Sequence, residues 1–309
     1  MKKISLRRII TSFISLVVLV FCINYILKNF QWIEILQMLK NVNLIWLFVG
    51  GGLSILVHFA FRTLRWSFIL KNLKIDIKFF DLYIYNSISI FLSIVTPARS
   101  GGILKVELLK RYDLIKRIPG YSSFILESIF DLFLVFSVAM TSLIIKLDLA
   151  ASYKYIHLMF GIAVVVFFVC AFAIQKRKFK GKTGEFICQL KASFQNTKTL
   201  LLIVLLTICS WVFVAVGWQV CLYSIDIHIG FLNSVALASI INITCLLSFI
   251  PGGIGVSEAG IAELLIRFGY ESIEAQTGAI VLRFYSILII FLGGLHYLIL
   301  ILRRYLEKN

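Results

Sequence analysis

The stretch CLLSFIPGGIGVSEAG, residues 245–260, places a proline, four glycines and an ionisable glutamate inside the last long apolar region of the chain. Proline removes a backbone donor and glycine admits left-handed backbone, so a helix entering this stretch is expected to stop and a new one to begin. A second stretch reads the same way: TPARSGG, residues 96–102, ends another apolar run and leads into the amphipathic ILKVELLKRYDLIKR. These two breaks set the fold class.

Around them the chain is overwhelmingly apolar. With 60% hydrophobic and 15% charged residues and a mean hydropathy of +0.96, 309 residues cannot form a soluble domain and read as an all-α polytopic integral membrane protein, a single membrane domain over 1–309. The net charge of +16 sits between the apolar runs, where lysine and arginine dominate, and reads as cytoplasmic-face charge rather than a nucleic-acid surface. The start MKKISLRRII is basic and then apolar without a small-residue cleavage site, so the first helix is expected to remain as an anchor. Six cysteines show no CxxC spacing and no histidine at ligand spacing, which makes them packing residues and predicts neither metal nor cofactor.

A spanning helix needs roughly 20 mostly apolar residues, and six segments supply them: 9–27, 44–70, 121–145, 155–174, 200–223 and 275–302. The basic residues orient them. With the N-terminus, 62–78, 105–117, 175–198 and the C-terminal RRYLEKN in the cytoplasm, about 24 of the 31 lysines and arginines fall inside. About five fall outside, at 28–40, 146–154 and Arg267, while Arg99 and Arg283 are left within the membrane. Under this orientation 79–117 begins and ends inside, and 231–269 begins and ends outside. Each is then a broken helical hairpin, re-entrant or crossing twice, with its tip at Pro97, Gly101 and Gly102 or at Pro251, Gly252, Gly253 and Gly255. Glycine and proline at the tips favour the re-entrant form, whose open backbone must be shielded by protein.

The order span, span, hairpin, span occurs twice, the second time inverted, so 1–150 and 151–309 read as halves of an inverted repeat. KIDIKFFDLYIYNSISIFLSIVTPARSGG corresponds to SIDIHIGFLNSVALASIINITCLLSFIPGGIG, and the two prolines are about 154 residues apart. Chance likeness between two apolar segments that end in proline is the competing reading. In transporters of this kind, interrupted helices meet near the midplane and offer half-helix N-termini to an anion.

Ionisable residues inside apolar spans are costly and line cavities or pair with one another. Beside Arg99 these are Glu127, Asp131, Glu258 and Arg283. Arg99 offers a planar fork suited to phosphate. Glu127 and Asp131 are four apart on one helix face, where two carboxylates could share a proton during a cycle. Alternatively, Glu127 or Glu258 pairs with Arg283 or Arg99 as structural glue. Arg62 and Arg65, next to Trp66 at a span end, read as snorkelling interface residues. Asn86, Asn242 and Thr244 either line a path or bond across helices, and His58 and His296 read as packed.

FRTLRWSFIL, TPARSGGILKVELLKR, LESIFDLFLV, FIPGGIGVSEAGIAELL and IVLRFYSILII, in this order, resemble the flippase-like membrane domain family, the membrane region of lysylphosphatidylglycerol synthases. The resemblance spans nearly the whole chain. It implies movement of an anionic or glycosylated lipid between leaflets, and it points to Pro97, Arg99, Gly101, Glu127, Asp131, Pro251, Gly252, Gly253, Gly255, Glu258 and Arg283. Bifunctional members carry a cytosolic aminoacyl-transferase domain; the longest hydrophilic loop here, 175–198, is far too small to be one. The chain alone is therefore expected to be no enzyme and to rely on a separate aminoacyl-transferase or glycosyltransferase partner. Relatives often follow the first-break glycine with an acid, where this sequence has Gly102. Either Glu107 or Glu127 takes that role, or the substrate or coupling ion differs.

The expected function is translocation of a membrane lipid across a bacterial-type cytoplasmic membrane, with both termini cytoplasmic. Transport of a small soluble anion, and an accessory or enzymatic role in polyprenyl-linked sugar chemistry, are the alternatives.

Overall fold

The computed structural model describes residues 6–112, 114–146, 181–195 and 197–306; the span expected at 155–174 lies outside them. Among the described residues the chain is helical, with no strand. Helix α1 (Leu6–Asn29) leads into α2 (Trp32–Lys40), then a π-helical turn (Ile45–Gly50) opens α3 (Gly51–Asn72). Helices α4 (Phe79–Val95) and α5 (Leu104–Arg111) are joined by the 3-10 turn Pro97–Ile103. Helix α6 (Arg117–Lys146), α7 (Gly181–Gln195) and α8 (Thr197–Tyr223) follow. Helices α9 (Phe231–Ser248) and α10 (Val256–Arg267) flank the turn Pro251–Gly253, and α11 (Ser272–Leu306) closes the chain.

Among the described residues, five helices are long and apolar enough to cross a membrane: Ile45–Asn72, Arg117–Leu143, Thr197–Tyr223, Phe231–Ser248 and Ser272–Leu306. A sixth is reached if Leu19–Asn29 and Trp32–Lys40, which meet at 77°, count as one bent span. Helix α8 carries no charge from Thr199 to Tyr223 and is apolar all round, the pattern of a helix whose outer face meets lipid. The burial pattern agrees. Leu232, Leu247 and Leu302 are exposed, while Arg65, Lys105, Glu127 and Asn86 are buried, the reverse of a soluble protein.

Two compact units divide the described chain. The first comprises Met1–Ser54, Ile90–Gly101 and Ala215–Leu292. In it Gln276 of α11 closes the corner between α1 and α2, accepting the Gln31 N–H at 2.8 Å and donating to the Asn29 carbonyl at 3.2 Å. Helices α9 and α10 fold back on each other: a Cβ on Gly260 would lie 2.8 Å from Ile241, and one on Gly253 2.4 Å from Cys245 Sγ. That register is a hairpin. Its second arm also touches α1, where Gly255, at φ +83°, lies so close that a Cβ would stand 2.6 Å from Cys22 Cβ.

The second unit comprises Ile55–Ser89, Gly102–Val214 and Gly293–Asn309. Its core packs Ile69, Leu126 and Ile203 together with Phe130 and Leu190. Helices α4 and α5 form the other hairpin: Lys105 Nζ donates to Asn86 Oδ1 at 3.2 Å and Ser89 Oγ to the Gly102 carbonyl at 2.9 Å.

Two segments read as connections are helices. Residues 32–40 of the expected outer connection form α2, because WIEILQMLK buries Ile35 and leaves Ile33 and Leu36 exposed on an amphipathic turn. Part of the hydrophilic 175–198 segment forms α7, which sets Leu190 into the core and accepts a 3.0 Å bond at Gln189 from Ser122. In both, apolar residues recur at helical spacing, but each segment is too short to span a membrane and reads as a connection beside the longer apolar runs.

Candidate functional site

Glu127, Asp131, Glu258 and Arg283 make ion pairs, and the five charged residues singled out from the sequence fall into two clusters. The first lies at the hairpin tips, within the first unit. Arg99 sits in the turn Pro97–Ile103 at φ +55°, a left-handed conformation that a non-glycine residue holds only when its surroundings impose it. Gly101 N–H donates to Thr96 Oγ1 at 2.7 Å and Arg99 N–H to the Thr96 carbonyl at 3.3 Å, so Thr96 draws the turn tight. Gly101 has no room for a side chain: a Cβ would fall 2.3 Å from the Leu92 carbonyl oxygen. The exposed Arg99 guanidinium donates to Asn242 Oδ1 on α9, which links the tip of one hairpin to an arm of the other. Gly252, at φ +64°, lies against the Ile94 carbonyl, 3.7 Å from where its Cβ would be.

The start of α10 is already occupied by the chain's own carboxylate. Glu258, 7% exposed, accepts the Gly255 N–H at 2.7 Å and the Ser257 hydroxyl at 3.0 Å on Oε2, and Arg283 Nε donates to its Oε1. Arg283 also donates to the Gly252 carbonyl at 2.9 Å and to Ser257 Oγ at 2.8 Å. The expectation that this half-helix end offers open donors to a ligand therefore meets a different geometry. Glu258 caps the helix, and Arg283 ties that cap to the loop. Arg99, at the other tip, is exposed.

The second cluster lies in the second unit. Glu127 and Asp131 of α6 face Arg62 and Arg65 of α3 and Lys105 of α5. Arg65 is entirely buried; its Nη2 reaches Glu127 Oε1 at 2.7 Å and its Nη1 reaches Asp131 Oδ1 at 2.7 Å and Thr207 Oγ1 at 2.9 Å. Lys105 Nζ donates to Glu127 Oε2, lies 4.1 Å from the Trp66 ring centre and also reaches Asn86. Trp211 Nε1 donates to Asp131 Oδ1 at 3.1 Å. Each carboxylate is thus bracketed by cations.

The snorkelling reading of Arg62 and Arg65 is corrected. An arginine that snorkels keeps its head in water, whereas Arg65 is 0% exposed and both its terminal nitrogens are bonded to protein, at Glu127, Asp131 and Thr207. The signal was present in spacing. Arg62 and Arg65 are three apart on one helix, Glu127 and Asp131 four apart on another, so each pair presents one face and the charges are complementary. Lys105, Thr207 and Trp211 were missed because their roles depend on which helices touch. Glu107 of α5 pairs elsewhere, with Tyr121 and with Arg117.

A sequence model described as "Lysylphosphatidylglycerol synthase TM region" matches residues 10–294. The chain belongs to the lysylphosphatidylglycerol synthase membrane-region family. No individual curated protein matches it. Both clusters, from Arg62 to Arg283, lie inside the part of the chain that the membrane-region family covers. At both clusters cations stand against the chain's own carboxylates in largely apolar surroundings, where low dielectric strengthens charge interactions.

Proposed function

We propose that this membrane-region protein is a lipid translocase that moves an anionic or glycosylated lipid between the leaflets of a bacterial-type cytoplasmic membrane. The observation that carries the reading is Arg99: an exposed cation held in left-handed backbone at a helix break, beside Asn242 of the second hairpin. A guanidinium there matches a lipid phosphate, and the exposed apolar helix surfaces leave the acyl chains in the bilayer. We read 1–150 and 151–309 as inverted halves with both termini cytoplasmic, so that the hairpins enter from opposite faces. Glu258 and Arg283 brace the second tip, and Glu127 and Asp131 brace α6. We read the protein as a carrier rather than an enzyme, with its carboxylates serving as counter-ions. A separate aminoacyl-transferase or glycosyltransferase would supply the cargo.

Reconstitution tests the assignment. Arg99→Ala in vesicles is expected to slow the movement of labelled phosphatidylglycerol roughly tenfold, the size of one lost charge-assisted hydrogen bond. Arg283→Ala is expected to slow it as well, because Glu258 loses its partner. If both variants fold, insert and move lipid at the wild-type rate, the roles given to these residues are wrong.

A further inference from the structure

The charges of the second cluster do not balance. Arg65 and Lys105 together neutralise Glu127 and Asp131, in a closed quartet whose short contacts are made without any help from Arg62. Asp131 keeps two bonds from Arg65, at 2.7 and 2.9 Å, and one from Trp211 at 3.1 Å; Glu127 keeps Arg65 and Lys105. Arg62 is the surplus cation. It holds Asp131 Oδ2 through a single bond at 3.0 Å and stands 3.5 Å from Glu127. Its side chain is 22% exposed, against 0% for Arg65 and 2% for Lys105, and Asp131 beside it is 16% exposed. This is the open side of the cluster.

Two further observations point to a missing anion. The buried Nε atoms of both Arg62 and Arg65 find no acceptor among the described residues. The undescribed residues add few counter-charges: their acids are Asp113, Asp148 and Glu307. An uncompensated cation with an unfilled donor in apolar surroundings attracts a counter-charge from outside.

We propose that Arg62 is a binding residue for an external oxyanion of the phosphate or phosphodiester class, with the Arg65–Lys105–Glu127–Asp131 quartet as the rigid base that presents it. When the anion arrives, Arg62 gives up one 3.0 Å bond to Asp131, which stays satisfied by Arg65 and Trp211, and offers its planar fork to two oxygens. The neutral quartet explains why the swing is cheap: no buried carboxylate is stranded by it. The inference rests on the translocase reading only for the source of the anion, a lipid headgroup; free phosphate presents the same chemistry.

The full chain in a sugar-based detergent would be titrated by calorimetry with two probes, inorganic phosphate and short-chain dihexanoyl phosphatidylglycerol. Wild-type protein is expected to bind at least one of them. Arg62→Gln is expected to weaken that binding roughly tenfold to hundredfold, Arg62→Lys less, and neither to lower the unfolding temperature. Arg65→Gln, which opens the quartet, is expected to lower it clearly. Binding of the lipid alone assigns the site to a headgroup, and binding of phosphate alone assigns it to a solute; both support the oxyanion site. The proposal is overturned if wild type binds neither probe, if Arg62→Gln binds like wild type, or if it destabilises as much as Arg65→Gln. Should Arg62→Gln lose binding while wild-type vesicles move no lipid, the translocase reading fails and the Arg62 site stands.

Discussion

At the scale of single residues, the energetics of the α3–α6 cluster follow from burial. Glu127 is 1% exposed and accepts from Arg65 and Lys105, so Glu127→Gln strands two cations where water cannot reach them. A buried pair broken on one side costs about 3–5 kcal/mol, and the unfolding temperature in detergent should fall accordingly. The exposed pair Arg267–Glu263 is the control. Both side chains are about half exposed, and removing either should change stability by less than about 1 kcal/mol. Equal effects at the two sites would mean that the cluster is solvated in the membrane. The acidic half of this cluster was legible in the sequence, because Glu127 and Asp131 are four apart in an apolar run. The basic half was misread, because Arg65 near a span end looks identical whether its head reaches water or a carboxylate on another helix. The same limit applied to Glu258: its position at a break was legible, but not that it caps its own helix.

At the scale of elements, the hairpins depend on glycines at close approaches. A Cβ on Gly101 would stand 2.3 Å from the Leu92 carbonyl, a backbone atom that no rotamer change can move. Gly101→Ala should therefore displace the turn Pro97–Ile103 from α4, carrying Arg99 away from Asn242 and lowering stability by about 1–3 kcal/mol. Gly294 of α11 has nothing within 4 Å, and Gly294→Ala should leave stability unchanged or slightly raised. Thermal unfolding of the two variants side by side checks this; equal losses would contradict the tight turn. Both breaks were legible from proline and glycine in apolar runs. Helices α2 and α7 were not, since a short amphipathic helix between charged residues leaves little periodic signal, and its existence depends on partners such as Ser122 for Gln189.

At the scale of the whole molecule, the membrane class was legible from composition alone, because so apolar a chain has no soluble solution. The count of spans was less so. Helix α9 is long and apolar enough to cross on its own, and α1 with α2 makes a bent pair. Length and hydropathy do not separate a crossing helix from one arm of a hairpin. Orientation can be tested directly with single cysteines in a background lacking the native ones. Position 267 is expected to react with an impermeant reagent from outside, and positions 117 and 193 only from inside. Outside labelling at 117 would contradict the inverted arrangement proposed for the two halves.

The central claim is that the protein carries lipid. Its most direct test is leaflet exchange of headgroup-labelled phosphatidylglycerol in vesicles with and without the purified chain, beside uptake of labelled inorganic phosphate by the same vesicles. Faster lipid exchange in the protein-containing vesicles, with phosphate left outside, is the predicted result. Lipid exchange no faster than in protein-free vesicles, whether or not phosphate enters, would contradict it.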